Sequence, residues 1–169
     1  GKFVNADLSV SGGSKKTNYY IGASASTREG IIRTNSMNKI NLSFKLNHKF
    51  NDWLEVGANN SANYVKNHQV PGHNSGAMII GRAIMQRPFD RPYAPDGSYF
   101  TGGTDALTFH NAIQLLNEEI SYIENYRFIG SYYATLKFWE DKITFKNTFN
   151  TDVLALYDYT NYFSTHPYG

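Results

Sequence analysis

The side chains of this sequence that could do chemistry are few, and their spacing is wrong for catalysis. Its five histidines, His48, His68, His73, His110 and His166, fit neither a metal-ligand set nor a catalytic triad. His68 and His73 share a stretch with Asn67 and Asn74, which reads as loop surface. Cysteine is absent, so there is no disulfide framework, Cys-type zinc site or thiol nucleophile. Asp96 precedes Gly97, the usual place of an Asp that bonds its own backbone in a turn. Gly102-Gly103 reads as a plain turn, and no glycine-rich phosphate loop follows a strand. No inward acid pair with a base is visible. The chain is therefore read as not an enzyme, with no catalytic residues, no metal and no cofactor.

Two polar sets have the character of binding groups. Lys39, Lys45, Lys49, Lys137 and Lys146 share one side of an alternating pattern. They would bias an enclosed space toward anions, or pair with acidic neighbours. Arg82, Arg87, Arg91, Tyr93, Tyr99 and Phe100 fall in one long connection. Guanidinium forks beside aromatic rings suit stacking on sugars or packing against a partner.

The elements that must position these groups are strands. Ile40, Leu42, Phe44, Leu46, His48 and Phe50 alternate with Lys39, Asn41, Ser43, Lys45, Asn47 and Lys49. Tyr126, Phe128, Gly130, Tyr132, Ala134, Leu136 and Phe138 alternate in the same way with Asn125 to Lys137. Period two puts the apolar set on one face of a strand. Four further segments repeat the pattern, with Asn60 and Asn147 as blemishes on the apolar face. The alternation predicts strands over about 3–13, 19–28, 38–50, 53–65, 125–139 and 142–160. Tight polar turns join alternate pairs, at 13–18, 51–52 and 140–142. The other connections are longer, and the one over 66–124 far exceeds a hairpin loop. Within it Ala77–Met85 is apolar nearly all round. Phe109, Ala112, Ile113, Leu116 and Ile120 predict an amphipathic helix over Leu107–Glu119. Both short helices are expected to pack under neighbouring loops.

Composition sets the class. The 169 residues are 41% hydrophobic and 18% charged, with net charge +2. That balance excludes an acidic disordered chain and a dedicated nucleic-acid binder. No stretch approaches the 18 or so apolar residues of a membrane helix. Alternating strands of this length instead suit a membrane β-strand, which needs about 9–11 residues. Aromatics at strand ends (Tyr19, Phe50, Trp53, Tyr64, Tyr126, Phe138, Trp139 and Tyr157 among them) match the girdles of outer-membrane barrels. Short turns at one end and long loops at the other match the same architecture. Leu42, Phe44, Leu46, Phe128, Tyr132 and Leu136 would then face lipid, and Lys39, Lys45, Lys137 and Lys146 the lumen. A closed barrel needs about eight strands, so six would be part of a larger one. The chain opens on Gly1 and is read as a piece of a longer protein. The competing reading is a soluble or surface-anchored carbohydrate-binding β module, whose sandwich strands also alternate.

Several motifs carry a family resemblance. The run from Leu8-Ser9-Val10-Ser11-Gly12-Gly13 through Thr17-Asn18-Tyr19-Tyr20 resembles a hairpin of SusC/RagA-type TonB-linked outer-membrane transporters. Glu29-Gly30-Ile31-Ile32, Asn41-Leu42-Ser43-Phe44, Asp52-Trp53-Leu54-Glu55-Val56-Gly57 and Pro95-Asp96-Gly97-Ser98-Tyr99 follow in the family's order. Asn111-Ala112-Ile113-Gln114-Leu115-Leu116 is similar to another of its motifs, with Ala112 where Pro is usual. The resemblance implies an all-β fold: an antiparallel transmembrane β-barrel segment, the first strands of a barrel of about 22. It implies a plug domain upstream of the present chain. It also implies a multi-pass location in the bacterial outer membrane of Bacteroidetes, in contact with lipid. The implied activity is import of oligosaccharides or peptides, with TonB acting through the plug and a SusD-like lipoprotein as lid. Arg82, Arg87, Arg91, Tyr93, Tyr99 and Phe100 become the candidates for cargo or lid contact.

Overall fold

A computed structural model of the chain describes residues 1–70, 79–85, 91–100, 111–139 and 142–166. Its strands are β1 (Phe3–Gly13), β2 (Thr17–Glu29), β3 (Ser36–Lys49), β4 (Leu54–His68), β5 (Glu119–Phe138) and β6 (Ile143–Tyr162). Two short helices, α1 (Ile79–Met85) and α2 (Ala112–Glu118), stand between β4 and β5. The strands form one antiparallel sheet in chain order.

Register converts the sequence alternation into two continuous faces. Leu8 pairs with Ala23, Ala23 with Leu42, Leu42 with Ala62, Ala62 with Phe128 and Phe128 with Val153. Two residues further along lie Val10, Ile21, Phe44, Asn60, Gly130 and Thr151. Tyr19, Leu46, Ala58, Tyr132 and Phe149 come next, then His48, Val56, Ala134 and Asn147, and then Leu54, Leu136 and Phe145. Leu42, Phe44, Leu46, Phe128, Tyr132 and Leu136 therefore share one face. Lys39, Lys45, Lys137 and Lys146 share the other, with Ser24, Asn41, Asn63, Arg127 and Asp152. A slip of one residue at any pairing would exchange the faces of every strand beyond it.

The strands run past the alternation. β4 continues to His68, β5 begins at Glu119 rather than near 125, and β6 reaches Tyr162. The reason is that ladder hydrogen bonds require only extended backbone. Polarity alternates only where the two faces meet different surroundings, so the pattern fades before the pairing does. The helix expected over Leu107–Glu119 is observed from Ala112 to Glu118, with 107–110 outside the described residues. The same holds for 77–78 before α1.

The tight turns are closed by side-chain oxygens. Ser14 Oγ accepts from the amides of Lys16 and Thr17 at 3.3 and 3.2 Å, while its own amide donates to Thr17 O. Asn51 Oδ1 accepts from Trp53 and Leu54 at 3.1 and 2.8 Å. These are the local roles for which Ser and Asn are favoured in turns. After β5, Trp139 takes φ +56, a left-handed conformation unusual for a bulky residue. Its carbonyl receives the Lys142 amide at 3.2 Å.

Gly57 admits the sheet's most informative side-chain contact. The Tyr133 ring crosses the cross-strand glycine, occupying the space that a Cβ there would need. The Tyr133 hydroxyl reaches Asn47 Oδ1 and Glu55 Oε1, each at 3.0 Å. Lys146 Nζ lies over the same ring, 4.7 Å from its centre. An aromatic laid over a glycine in this way fills a gap and pins register. Gly57→Ala in the full-length protein is expected to cost about 1–3 kcal/mol through overpacking. Tyr133→Phe, which loses only the hydroxyl, should cost about 0.5–1.5 kcal/mol. Urea unfolding of the detergent-solubilised protein, read on unheated gels, checks the order; a larger loss for Tyr133→Phe would contradict this packing.

Candidate functional site

The long connection is built around one asparagine. Asn111 is buried, 1% exposed, and makes four hydrogen bonds. Its Oδ1 accepts from Ile113 and Gln114 amides at 2.9 and 3.4 Å, which caps α2. Its Nδ2 donates to the carbonyls of Pro92 and Phe100, at 2.7 and 3.0 Å. One side chain thus starts the helix and clamps both ends of the 92–100 segment.

That segment is a small hairpin. Tyr93 and Tyr99 form an isolated antiparallel bridge with ring centroids 5.5 Å apart. Pro95-Asp96-Gly97 turns the chain, with Gly97 at φ +85. The Ala94 amide donates to Ser98 O at 2.8 Å. Asp96 Oδ1 accepts from the Ser98 amide at 3.0 Å and from its hydroxyl at 2.7 Å. The Ser98 hydroxyl, and then its amide, hold the Asp96 carboxyl below the ordinary carboxylate range. This is the local backbone role expected of an Asp before Gly.

A second clamp ties the helix to the end of the chain. The expected apolar stripe placed Ala112, Ile113, Leu116 and Ile120 together. In the structure α2 buries Ala112, Gln114, Leu115 and Glu118, and Ile120 lies exposed in β5. Gln114 Nε2 donates to Glu118 Oε2 and to Thr165 O, both at 2.9 Å. Thr165 Oγ1 donates to Glu118 Oε1 at 2.8 Å, and the Phe163 amide to Glu118 O at 3.0 Å. The segment after β6 supplies partners for a polar helix face, which helical periodicity within 107–119 could not foresee. His166, also buried, lies against Tyr162 with ring centroids 4.8 Å apart. Its Nε2 is 4.0 Å from Glu119 Oε2. Asn117 links the same helix to Tyr99, whose hydroxyl accepts from its Nδ2 at 3.0 Å, and to Arg33 between β2 and β3.

The candidate contact residues are distributed accordingly. Arg91 and Tyr93 lie exposed on the hairpin. Tyr99 and Phe100 are half-buried, Tyr99 held by Tyr93 and Asn117, and Phe100 by its backbone bonds to Pro92 and Asn111. Arg82 stands on α1, and Arg87 lies outside the described residues. On the polar face of the sheet, Lys45 Nζ sits 5.8 Å from the centre of the Tyr20 ring. Arg127 makes a two-pronged pair with Asp152, Nε to Oδ1 at 3.0 Å and an Nη to Oδ2 at 2.6 Å. Lys39 stands between Ser26 and Val65 in register. Among the described residues no group of three or more acid, His or Cys side chains could hold a metal. Sequence reasoning missed Asn111, Asn117 and Gln114 as organisers. The one available signal was an Asn placed directly before a helical run.

Two predictions test this scaffold. Asn111→Ala removes a cap and strands two carbonyls, so hydrogen exchange at Phe100 and over 112–115 should rise by about five- to thirty-fold, equivalent to the 1–2 kcal/mol of a lost cap. Unchanged protection would remove Asn111 from its organising role. The second concerns acid. Asp96 is stabilised as the carboxylate, so its contribution is complete above the ordinary carboxylate value of about 4 and is lost as pH falls through its lower folded value. Amide exchange at Ser98, referenced to its intrinsic rate, should lose protection across that acid window, and Asp96→Asn should show no such transition.

No protein-family model matches the chain. It is 27% identical over 150 residues to the TonB-dependent receptor P26 of Formosa agariphila, an alignment covering 88% of this chain. Structures of the RagAB peptide importer in its closed-closed and open-open states superpose with a TM-score of 0.74. They are 19% identical, and 98% of this chain is covered. The chain spans 14% of the length of P26 and 19% of the matched RagAB chain. Its fold is that of an antiparallel β-barrel segment, and in sequence and fold together it resembles part of a SusC/RagA-type TonB-linked outer-membrane transporter.

Proposed function

We propose that this chain is a six-strand stretch of an outer-membrane active transporter, which imports oligosaccharides or peptides with TonB-derived energy under a SusD-like lipoprotein lid. The carrying observation is the apolar face of the sheet. Leu8 is 73% exposed, Leu42 53% and Phe149 62%. The only buried apolar side chains among the described residues are Ile79, Ala112 and Leu115, all on the helices. Soluble monomers rarely expose contiguous apolar patches larger than a few hundred Å². Lipid contact accounts for this face, and closure with further strands accounts for the two edges of the sheet. The similarity to P26 and RagAB supports the same assignment.

In this arrangement Leu42, Phe44, Leu46, Phe128, Tyr132 and Leu136 contact lipid. Lys39, Lys45, Lys137 and Lys146 face the lumen and its plug. The short turns between β1 and β2, β3 and β4, and β5 and β6 lie on the periplasmic side. The long connection lies outside the cell, where its hairpin and helices reach over the mouth. Arg82, Arg87, Arg91, Tyr93, Tyr99 and Phe100 then carry this segment's share of lid or cargo contact.

Two measurements check the proposal in the full-length protein. Arg at Phe44 or Tyr132 should destabilise the inserted barrel by about 2–4 kcal/mol, the cost of a cation near the midplane. Arg at Ser43 should cost much less, and the reverse order would invert the assigned faces. Deletion of Ser75–Gly103 should leave the barrel assembled and reduce co-purification of the lid lipoprotein or uptake of cargo. Normal lid recovery with normal uptake would leave the long connection without that role. An intact protein that stays monodisperse without detergent would favour the soluble β module instead.

A further inference from the structure

Toward the tight turns the polar face of the sheet ends in a charged row. Lys49, Glu55, Thr135 and Lys146 stand side by side in register. Beside them a cavity of about 180 Å³ opens against the turn between β1 and β2, and Lys15, Lys16, Asn47, Lys49 and Glu55 are among its lining residues. That turn is held in place. The Lys49 amide donates to Lys16 O at 2.7 Å, and Thr17 Oγ1 lies 2.7 Å from His48 Nδ1. With the Ser14 bonds described above, these contacts fix where the stems of Lys15 and Lys16 leave the backbone.

The charges of this cavity are unevenly satisfied. Lys49 Nζ bonds Asp52 Oδ1 at 2.7 Å. Glu55 Oε1 accepts the Tyr133 hydroxyl at 3.0 Å. Lys15 and Lys16 are exposed, and among the described residues no carboxylate pairs with either. The Lys49 hydrogen bond, and then the charges of Lys49, Lys16 and Lys137, hold the Asp52 carboxyl below its ordinary range. That one carboxylate already feels three ammonium groups, and Lys15 adds another to the same cavity. Glu140 and Asp141, in the turn between β5 and β6, lie outside the described residues.

We propose that this cavity receives a carboxylate side chain of the plug segment that precedes the barrel, so that Lys15 and Lys16 latch the plug to the periplasmic turns. The inference rests on the membrane assignment made above. The face decides where the occupant comes from. Asn47, Lys49 and Glu55 share the side of Tyr133, opposite Leu46 and Leu54. Lipid meets the other side, so the cavity opens toward what the barrel encloses. Charge complementarity makes the occupant an acid. Three ammonium groups line the cavity against one carboxylate, which already takes a hydroxyl. The same chemistry suits release. Ammonium groups are point charges on flexible stems, so they hold a carboxylate without the two-pronged geometry of Arg127 on Asp152. Exposed pairs of this kind are weak and screened by salt. They restrain a resting plug and yield to a directed pull.

The experiment uses the full-length transporter purified in detergent, with its faster gel migration before heating as an independent check that the barrel is folded. A water-soluble carbodiimide joins ammonium and carboxylate groups that touch, and the linked peptides are mapped by mass spectrometry. The Lys49–Asp52 link serves as the internal reference. Lys15 or Lys16 should link to an Asp or Glu upstream of Gly1. Lys15→Gln with Lys16→Gln should remove that link and speed amide exchange in the linked plug peptide by about two- to five-fold, the range of an exposed ion pair, with the strands unchanged. In a folded barrel that forms the reference link, coupling of Lys15 and Lys16 only to barrel carboxylates such as Glu55 or Asp141, or to none, overturns the inference alone. Unchanged plug exchange in the double variant does the same. A folded barrel without the reference link overturns the turn geometry on which the latch stands. A wild-type protein with no folded-barrel migration overturns the membrane assignment and this inference with it.

Discussion

Everything in this chain depends on saturating the backbone in an environment without water. Inside a bilayer an unpaired amide or carbonyl costs several kcal/mol, so a spanning segment must be helical or part of a closed sheet. Among the described residues no helix is long and apolar enough to cross. The chain has six strands of 11 to 20 residues paired along their length in simple up-and-down order. Each strand can be apolar on one side only because the backbone's demands are met within the sheet plane. The alternation, the lengths and the short turns all follow from that division.

Pairing also makes register the most consequential variable. Leu42, Phe128 and Tyr132 share one face only while the two ladders from β3 through β5 hold their offsets. The features that resist slippage are local. Tyr133 lies over Gly57, and Arg127 grips Asp152 diagonally across two strands. Ser14 and Asn51 fix the turn lengths. They stand on the polar face or in the turns, where hydrogen bonds and ion pairs are available without burying a charge in hydrocarbon.

The long connection obeys different rules. It lies outside the six-strand ladder, so its backbone groups need individual partners. Asn111 and Gln114 supply several of these, and Glu118 receives a tail residue that comes from the far side of β6. A polar-clamped hairpin that holds Arg91 and Tyr93 outward is suited to contact with another macromolecule or with cargo. Interfaces enrich these side chains because they combine area with directed hydrogen bonds. Loops carry such roles on scaffolds that are themselves held still.

Much of this was legible without coordinates. Strict alternation over Lys39–Phe50 and Asn125–Phe138 determined that these segments are strands and which residues share a face, because a period of two has no other stable use. The Pro95-Asp96-Gly97 turn was legible because its chemistry is local. What only the tertiary structure decided lies where partners are distant in sequence. The burial of Gln114 and Glu118 depends on Thr165, some fifty residues away, and turns an expected apolar stripe into a mixed one. Asn111 as the hub of the loop, Tyr133 over Gly57 and the basic cavity at Lys15 and Lys16 each require two or more strands or loops brought side by side. A pattern along one chain reports how each residue's surroundings alternate. It does not report which distant residue fills the space beside it, since that depends on pairing offsets and on the path of the loops.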